Sequence, residues 1–232
     1  MNRITINIIV EGQTEQHFVK TVLAPYMSAK GIDLYASILG KPGHKGGNVS
    51  FKRVKKHIEI FLKQRQDTYI STMLDYFKID SDWTGKAEAE DRIKGGLSVT
   101  AEDKANILEN ATFKEIEKDL SDYNVKKRFI PYFSMYEFEA LLFSDANILA
   151  EKTNIKVSEI SKILKDYKDN PEEIDEEPAK APGKRLIALM PGYRKIAMGK
   201  TVAEAIGIED IRKKCFHFNG WLQKLEDIKV NN

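Results

Sequence analysis

A largely parallel α/β fold is predicted by three features of the sequence. Apolar, β-branched segments alternate with amphipathic ones in the order β-α-β-α-β. Turn formers or capping residues punctuate the segments, and no repeat or linker divides the chain. The 232 residues are 42% hydrophobic and 31% charged, enough for one domain with a substantial core. Gly and Pro, at 14 and 7 positions, are too few for a collagen-like or low-complexity chain.

Each element follows from local pattern. Ile4–Val10 (ITINIIV) is nearly all apolar, as a strand covered on both faces should be. Glu11-Gly12 ends it, and Thr14 is placed to cap a helix running to about Lys30, with Phe18, Val22 and Tyr26 on one stripe. Pro25 should kink or divide that helix, and Gly31 should stop it. A second strand fits residues 34–39. Residues 41–48 (KPGHKGGN) read as a basic loop, after which Ser50 caps a helix carrying Val54, Ile58, Phe61 and Leu62. Residues 69–74 (YISTML) form a third strand with Asp75 at its end. A polar excursion over 76–99 precedes a helix at 100–120, where Thr100 and Asp103 match a capping box. Residues 128–135 (RFIPYFSM) read as a fourth strand, followed by helix-like 139–143. Beyond Asp145 the pattern is helical and loop-rich: a helix at 157–167, an acidic-to-basic Pro-rich loop at 171–185, then short helices to Ile228. The expected organisation is an α/β core over 1–145 with a helical extension over 146–232 packed on it as one structural domain.

Charge is uneven although the net value is only +2. Residues 41–66 carry eight Lys/Arg and the single acid Glu59, and residues 180–200 carry six Lys/Arg and no acid. Residues 75–91 hold six acids against two lysines. Such clusters fit a site where carboxylates hold cations and basic groups hold phosphates. One cysteine, Cys215, excludes an intramolecular disulfide framework and a Cys-rich zinc site. No apolar run approaches the roughly 18 residues of a membrane span, and the N-terminus lacks a secretory pattern, so a cytoplasmic protein is expected.

In open α/β sheets, ligands collect at the carboxyl ends of the strands. Glu11 follows the first strand, Asp75 the third, and Glu137 and Glu139 the fourth, with Glu15 in the first helical turn near Glu11. Gathered carboxylates repel one another unless a cation joins them, and hard oxygen ligands suit Mg²⁺ or Mn²⁺. Glu137 and Glu139 share a face only where the chain between them is extended. Lys184 and Arg185 suit the cationic half of a phosphoryl-transfer site. Lys45, Lys52, Arg53, Lys55 and Lys56 form a patch suited to phosphate backbones. His17, His44 and His57 lack ligand spacing and read as surface groups. Cys215 and His217 read as structural, and Trp83, Trp221 and Tyr132 as core or partner surface.

The segment IIVEGQTEQHF resembles the opening motif of the Toprim superfamily, a strand and a VEG turn with a second acid four residues on. Together with TMLDYF, IPYFSMYEFEALLFSD, APGKR and IRKKCFHFNGWL, it resembles a bacterial Toprim-like family, domain of unknown function 4276, over nearly the whole chain. The resemblance implies a Rossmann-like Toprim core and metal-dependent phosphodiester chemistry, as in OLD-type nucleases. Glu11 matches the motif's invariant acid and Asp75 the first acid of its DxD, whose second position is Phe77 here; Glu137 and Glu139 would then supply carboxylates. It also implies an ABC-like or AAA-type ATPase partner in an anti-phage setting, and frequent assembly into homo-oligomers. The expected function is a Mg²⁺-dependent nuclease on DNA or RNA, with Glu11 and Lys184 catalytic and Glu11, Glu15, Asp75, Glu137 and Glu139 on the metal. Lys45, Lys52, Arg53, Lys55, Lys56 and Arg185 would hold the nucleic acid. The alternative is a non-catalytic nucleic-acid-binding or regulatory subunit of an ATPase complex. No GxxxxGK[ST] segment is present, so ATP hydrolysis is not assigned to this chain.

Overall fold

The computed structural model describes residues 3–39, 49–174 and 177–228. Strands β1 (Ile4–Val10), β2 (Ile32–Ile38) and β3 (Thr68–Asp75) form the centre of a sheet ordered β2-β1-β3-β4. Ile4 pairs with Ile32 on one side of β1, and Thr5 with Thr68 on the other, both in parallel. Each parallel pair needs a crossover. Gln13–Phe18 (α1) and Ala24–Ala29 (α2) supply the first, joined by a π-helical turn at Val19–Leu23. Phe51–Gln64 (α3) supplies the second. Pro25 lacks the N–H that would bond the carbonyl four residues back, so the widened turn sits directly before it.

Lys86–Lys94 (α4), Ala101–Leu120 (α5) and Val125–Arg128 (α6) lead to the fourth strand position. The polar excursion therefore contains a helix, and Trp83 within it is buried. Thr100 and Asp103 form the expected capping box on α5. The continuous strand expected at 128–135 is instead two short strands, β4 (Phe129–Ile130) and β5 (Phe133–Ser134), both parallel to β3. Pro131 cannot donate to the ladder, and the gap is spanned by Thr72, whose Oγ1 donates to the Tyr132 carbonyl at 3.0 Å and accepts from its N–H at 2.9 Å. The helix-like stretch after it is a 3₁₀ helix over Phe138–Ser144.

The rest is helical: α7 (Ala146–Thr153), α8 (Val157–Asp166), α9 (Pro182–Leu189), α10 (Lys195–Ile206), α11 (Ile208–Lys214) and α12 (Phe216–Asp227). The loop expected at 171–185 thus already contains the start of α9. Alternation along β1 sends Ile6, Ile8 and Val10 to one face, against Phe18 and Leu23 and a C-terminal set including Phe218 and Leu222. Ile9 faces the other side, against Val54, Ile58 and Leu62 of α3 and Leu108 of α5. One core runs from the first strand into the C-terminal helices. Tyr132 and Trp221 stack within it at 4.3 Å, which makes them core residues.

Candidate functional site

The carboxyl ends of β1 and β3 lie side by side, with Val10 paired to Met73. Glu11 stands in the bend after Val10, half-buried, and Asp75 is the last residue of β3, 5% exposed. Gly12 precedes α1, and Glu15 in its first turn reaches back so that the Gly12 N–H donates to Glu15 Oε2 at 3.0 Å. This is one half of a capping box and explains why Glu15 is buried rather than pointing to water.

Glu137 is extended, with φ −137° and ψ 158°, and precedes the 3₁₀ helix whose first turn carries Glu139. That junction points both acids inward, and both are buried. The Phe138 N–H between them donates to Asp75 Oδ1 at 2.9 Å, tying the segment to the end of β3. From the opposite side, the Gly183 N–H at the start of α9 donates to Glu137 Oε2 at 2.8 Å. Lys195, the first residue of α10, sets its Nζ 3.1 Å from Glu139 Oε1 and 3.6 Å from Glu137 Oε1.

Burial dominates the electrostatics. It pushes the Glu11 carboxyl up to about 7, helped by Glu15 and opposed by Lys78 and Lys195. Glu139 is also pushed to about 7 by burial, against the pull of Lys195. Asp75 is driven well above the carboxylate range by burial and then by Glu15, Glu11, Glu139 and Glu137. Glu15 rises for the same leading reason. Burial pulls Lys195 down, but Glu139 and Glu137 outweigh it, so it stays charged. The five predicted acids therefore form one mutually repelling cluster.

Among the described residues, no group of three or more His, Cys, Asp or Glu is arranged as a ready metal ligand set. Glu15, Asp75 and Glu137 each accept a backbone N–H on one oxygen, and Lys195 lies on Glu137 and Glu139. Glu11 Oε2 and Glu139 Oε1 are buried with no hydrogen-bond partner, the latter with the Lys195 ammonium 3.1 Å away. An unpartnered buried oxygen among surplus carboxylates fits a hard divalent cation.

The basic residues divide otherwise than predicted. Lys184 is exposed, and the cation that meets the acids is Lys195. The reason is geometric: α9 turns the Gly183 N–H toward Glu137, and the next residue lies about 100° further round the helix. Arg185 is engaged structurally, its Nη2 donating to Tyr167 Oη at 2.9 Å and its Nε to the Lys180 carbonyl at 3.0 Å. On α3, Lys52 and Lys56 are exposed, Arg53 donates to the Leu39 carbonyl at 2.9 Å, and Lys55 pairs with Asp119. Val49, just before α3, bridges Ile79, so the basic helix starts beside the turn after Asp75. Lys45 and His44 lie outside the described residues.

Lys195, Tyr193 and Gly183 were not legible as site residues. Lys195 lies in the acid-free basic run of 180–200, and its one local signal is a cation at a helix start, where the dipole disfavours it. Tyr193 Oη is buried and unpartnered, and burial together with Glu139 and Glu137 pushes its hydroxyl upward. A Cβ on Gly183 would lie 2.5 Å from Lys195 Nζ and 2.7 Å from Glu137 Oε2, so any larger residue would have to displace the ends of these two side chains.

The family model described as domain of unknown function (DUF4276) matches residues 10–226. The chain belongs to that family. No curated protein matches the chain. Among solved structures, the C-terminal region of the Xanthomonas campestris pv. campestris OLD protein is similar over 97% of this chain and 94% of that one, at 17% identity and a TM-score of 0.34. No helix among the described residues is long and apolar enough to cross a membrane.

Proposed function

We propose that this family member is a Toprim-type nuclease that uses Mg²⁺ or Mn²⁺ to hydrolyse phosphodiester bonds of DNA or RNA. The observation that carries this reading is the buried carboxylate cluster at the ends of β1 and β3, with Glu11 Oε2 unpartnered. Glu11, Asp75 and Glu15 would hold the cation, with Glu137 or Glu139 alongside. A bound divalent ion supplies polarisation of phosphoryl oxygens and activation of a water. Lys195 takes the electrostatic role first assigned to Lys184, keeping a positive charge at the inner edge of the site. Lys52 and Lys56, exposed on the basic helix that starts by the Asp75 turn, would contact the sugar-phosphate backbone. The ATPase partner and the anti-phage setting belong to this proposal through the family resemblance alone.

A second reading, a nucleic-acid-binding subunit without catalysis, is favoured by one observation: Lys195 already neutralises part of the cluster. The two separate in one experiment. Purified protein is incubated with plasmid DNA, single-stranded DNA and RNA in Mg²⁺, Mn²⁺ or EDTA, alongside Glu11→Gln. Cleavage that needs the metal should fall in the variant by more than the roughly 10–100-fold cost of losing an outer partner of a metal ligand. Equal binding in EDTA and Mg²⁺ without cleavage would favour the second reading.

A further inference from the structure

We infer that Lys195 permanently fills the seat of a second cation, so that the site takes one divalent ion, on the side of Glu11, Glu15 and Asp75. The inference rests on the metal-dependent reading above and fixes its stoichiometry. Two-metal phosphodiester sites hold their ions about 3.5–4 Å apart on shared carboxylates. Here the carboxylates of Glu137 and Glu139 converge on an ammonium instead, with Lys195 Nζ at 3.6 and 3.1 Å. A divalent ion bound to those buried oxygens would have to share their space with a positive charge 3.1–3.6 Å away, and the two cations would repel.

The lysine is built in rather than swung in. It is the first residue of α10, and that helix approaches the site closely because Gly199 lacks a side chain: a Cβ there would lie 3.2 Å from the Phe138 ring. The absence of a side chain at Gly183 leaves room for the ammonium beside Glu137. Glu137 is also spoken for on its other oxygen by the Gly183 N–H. The wall beyond is Tyr193, whose buried hydroxyl faces Glu139 and Glu137 and offers no further anionic ligand. Strand β3 contributes one carboxylate, because Phe77, two residues after Asp75, stacks on Tyr136 at 5.1 Å. Glu139 Oε1, though not hydrogen-bonded, already faces the ammonium at 3.1 Å, whereas Glu11 Oε2 is buried with no hydrogen-bond partner.

Mn²⁺ titration by calorimetry, with the Mn²⁺ EPR spectrum recorded at saturation, tests this without any substrate. The wild-type chain should bind one equivalent with an uncoupled spectrum. Lys195→Met, which keeps the apolar stem and removes the charge, should bind two with exchange coupling. Two equivalents in the wild type, or one in a folded Lys195→Met, would overturn the inference while leaving the metal reading intact. No Mn²⁺ bound by the wild type would overturn both. Circular dichroism checks folding of the variant, and the wild-type count decides alone if it does not fold.

Discussion

Lys195 occupies a helix-start position that its charge alone would disfavour, and two buried acids hold it there. Removing it leaves Glu137 and Glu139 without their counter-charge. Breaking a fully buried pair costs roughly 3–5 kcal/mol. The Lys195 side chain is 37% exposed, so Lys195→Ala should cost less, about 1–3 kcal/mol in urea unfolding. The loss should grow above pH 7, where Glu139 with its carboxyl near 7 is ionised. A cost that is the same at pH 5 and pH 8 would contradict the pairing. This residue also marks the limit of reading the chain by pattern. Glu11 and Asp75 were legible because a charge directly after an apolar strand needs a reason. Lys195 was not, since its partners lie 56 and 58 positions away in sequence and meet it only through the packing of α10.

At the scale of elements, periodicity placed β1, β3, α3 and α5 to within a residue or two, and the Thr100 capping box lies where its motif indicated. What pattern missed were the interruptions. Pro131 splits the fourth strand because a ladder position lost its donor, and a threonine hydroxyl from the neighbouring strand repairs the gap. Equally hidden is the cap of α12. Glu172 sits in the acidic loop, where its charge reads as solvated. In the fold it is 4% exposed and its two oxygens accept the His217 and Phe218 N–H groups at 2.8 and 2.9 Å. It satisfies two of the four orphan donors of that helix from a segment 45 residues away. Glu172→Ala should therefore destabilise the protein by about 1–2 kcal/mol, the upper range of a lost cap. Glu172→Gln, keeping an acceptor oxygen, should recover part of it. A neutral Glu172→Ala would show that α12 does not depend on this carboxylate.

For the whole molecule, the parallel sheet matters because it delivers the ends of β1 and β3 to one edge, while helices from the far end of the chain close over that edge with Gly183 and Lys195. The result is a folded state that crowds carboxyls where their charged forms are disfavoured. Glu11 and Glu139 have carboxyls raised to about 7 from an ordinary 4.5, so the folded chain keeps protons that the unfolded chain releases. With a raised folded value, their stabilising contribution is complete below about pH 4.5 and is lost as pH rises through about 7. Asp75 and Glu15 shift in the same direction. The metal-free midpoint should fall between pH 5 and pH 8 by on the order of 10 °C, since the two groups together lose about 5 kcal/mol and each kcal/mol moves it by about 2–4 °C in a chain of this length. A divalent cation bound to the ionised cluster should cancel that slope by stabilising the folded state alone. The most direct test is thermal unfolding at pH 5 and pH 8, with and without saturating Mn²⁺, for the wild type and Glu11→Gln. The expected result is a wild-type midpoint that Mn²⁺ raises at pH 8, and a variant midpoint that is higher without metal and unmoved by Mn²⁺. A wild type indifferent to Mn²⁺ at pH 8, or a variant raised by it equally, would contradict a cation site at these carboxylates.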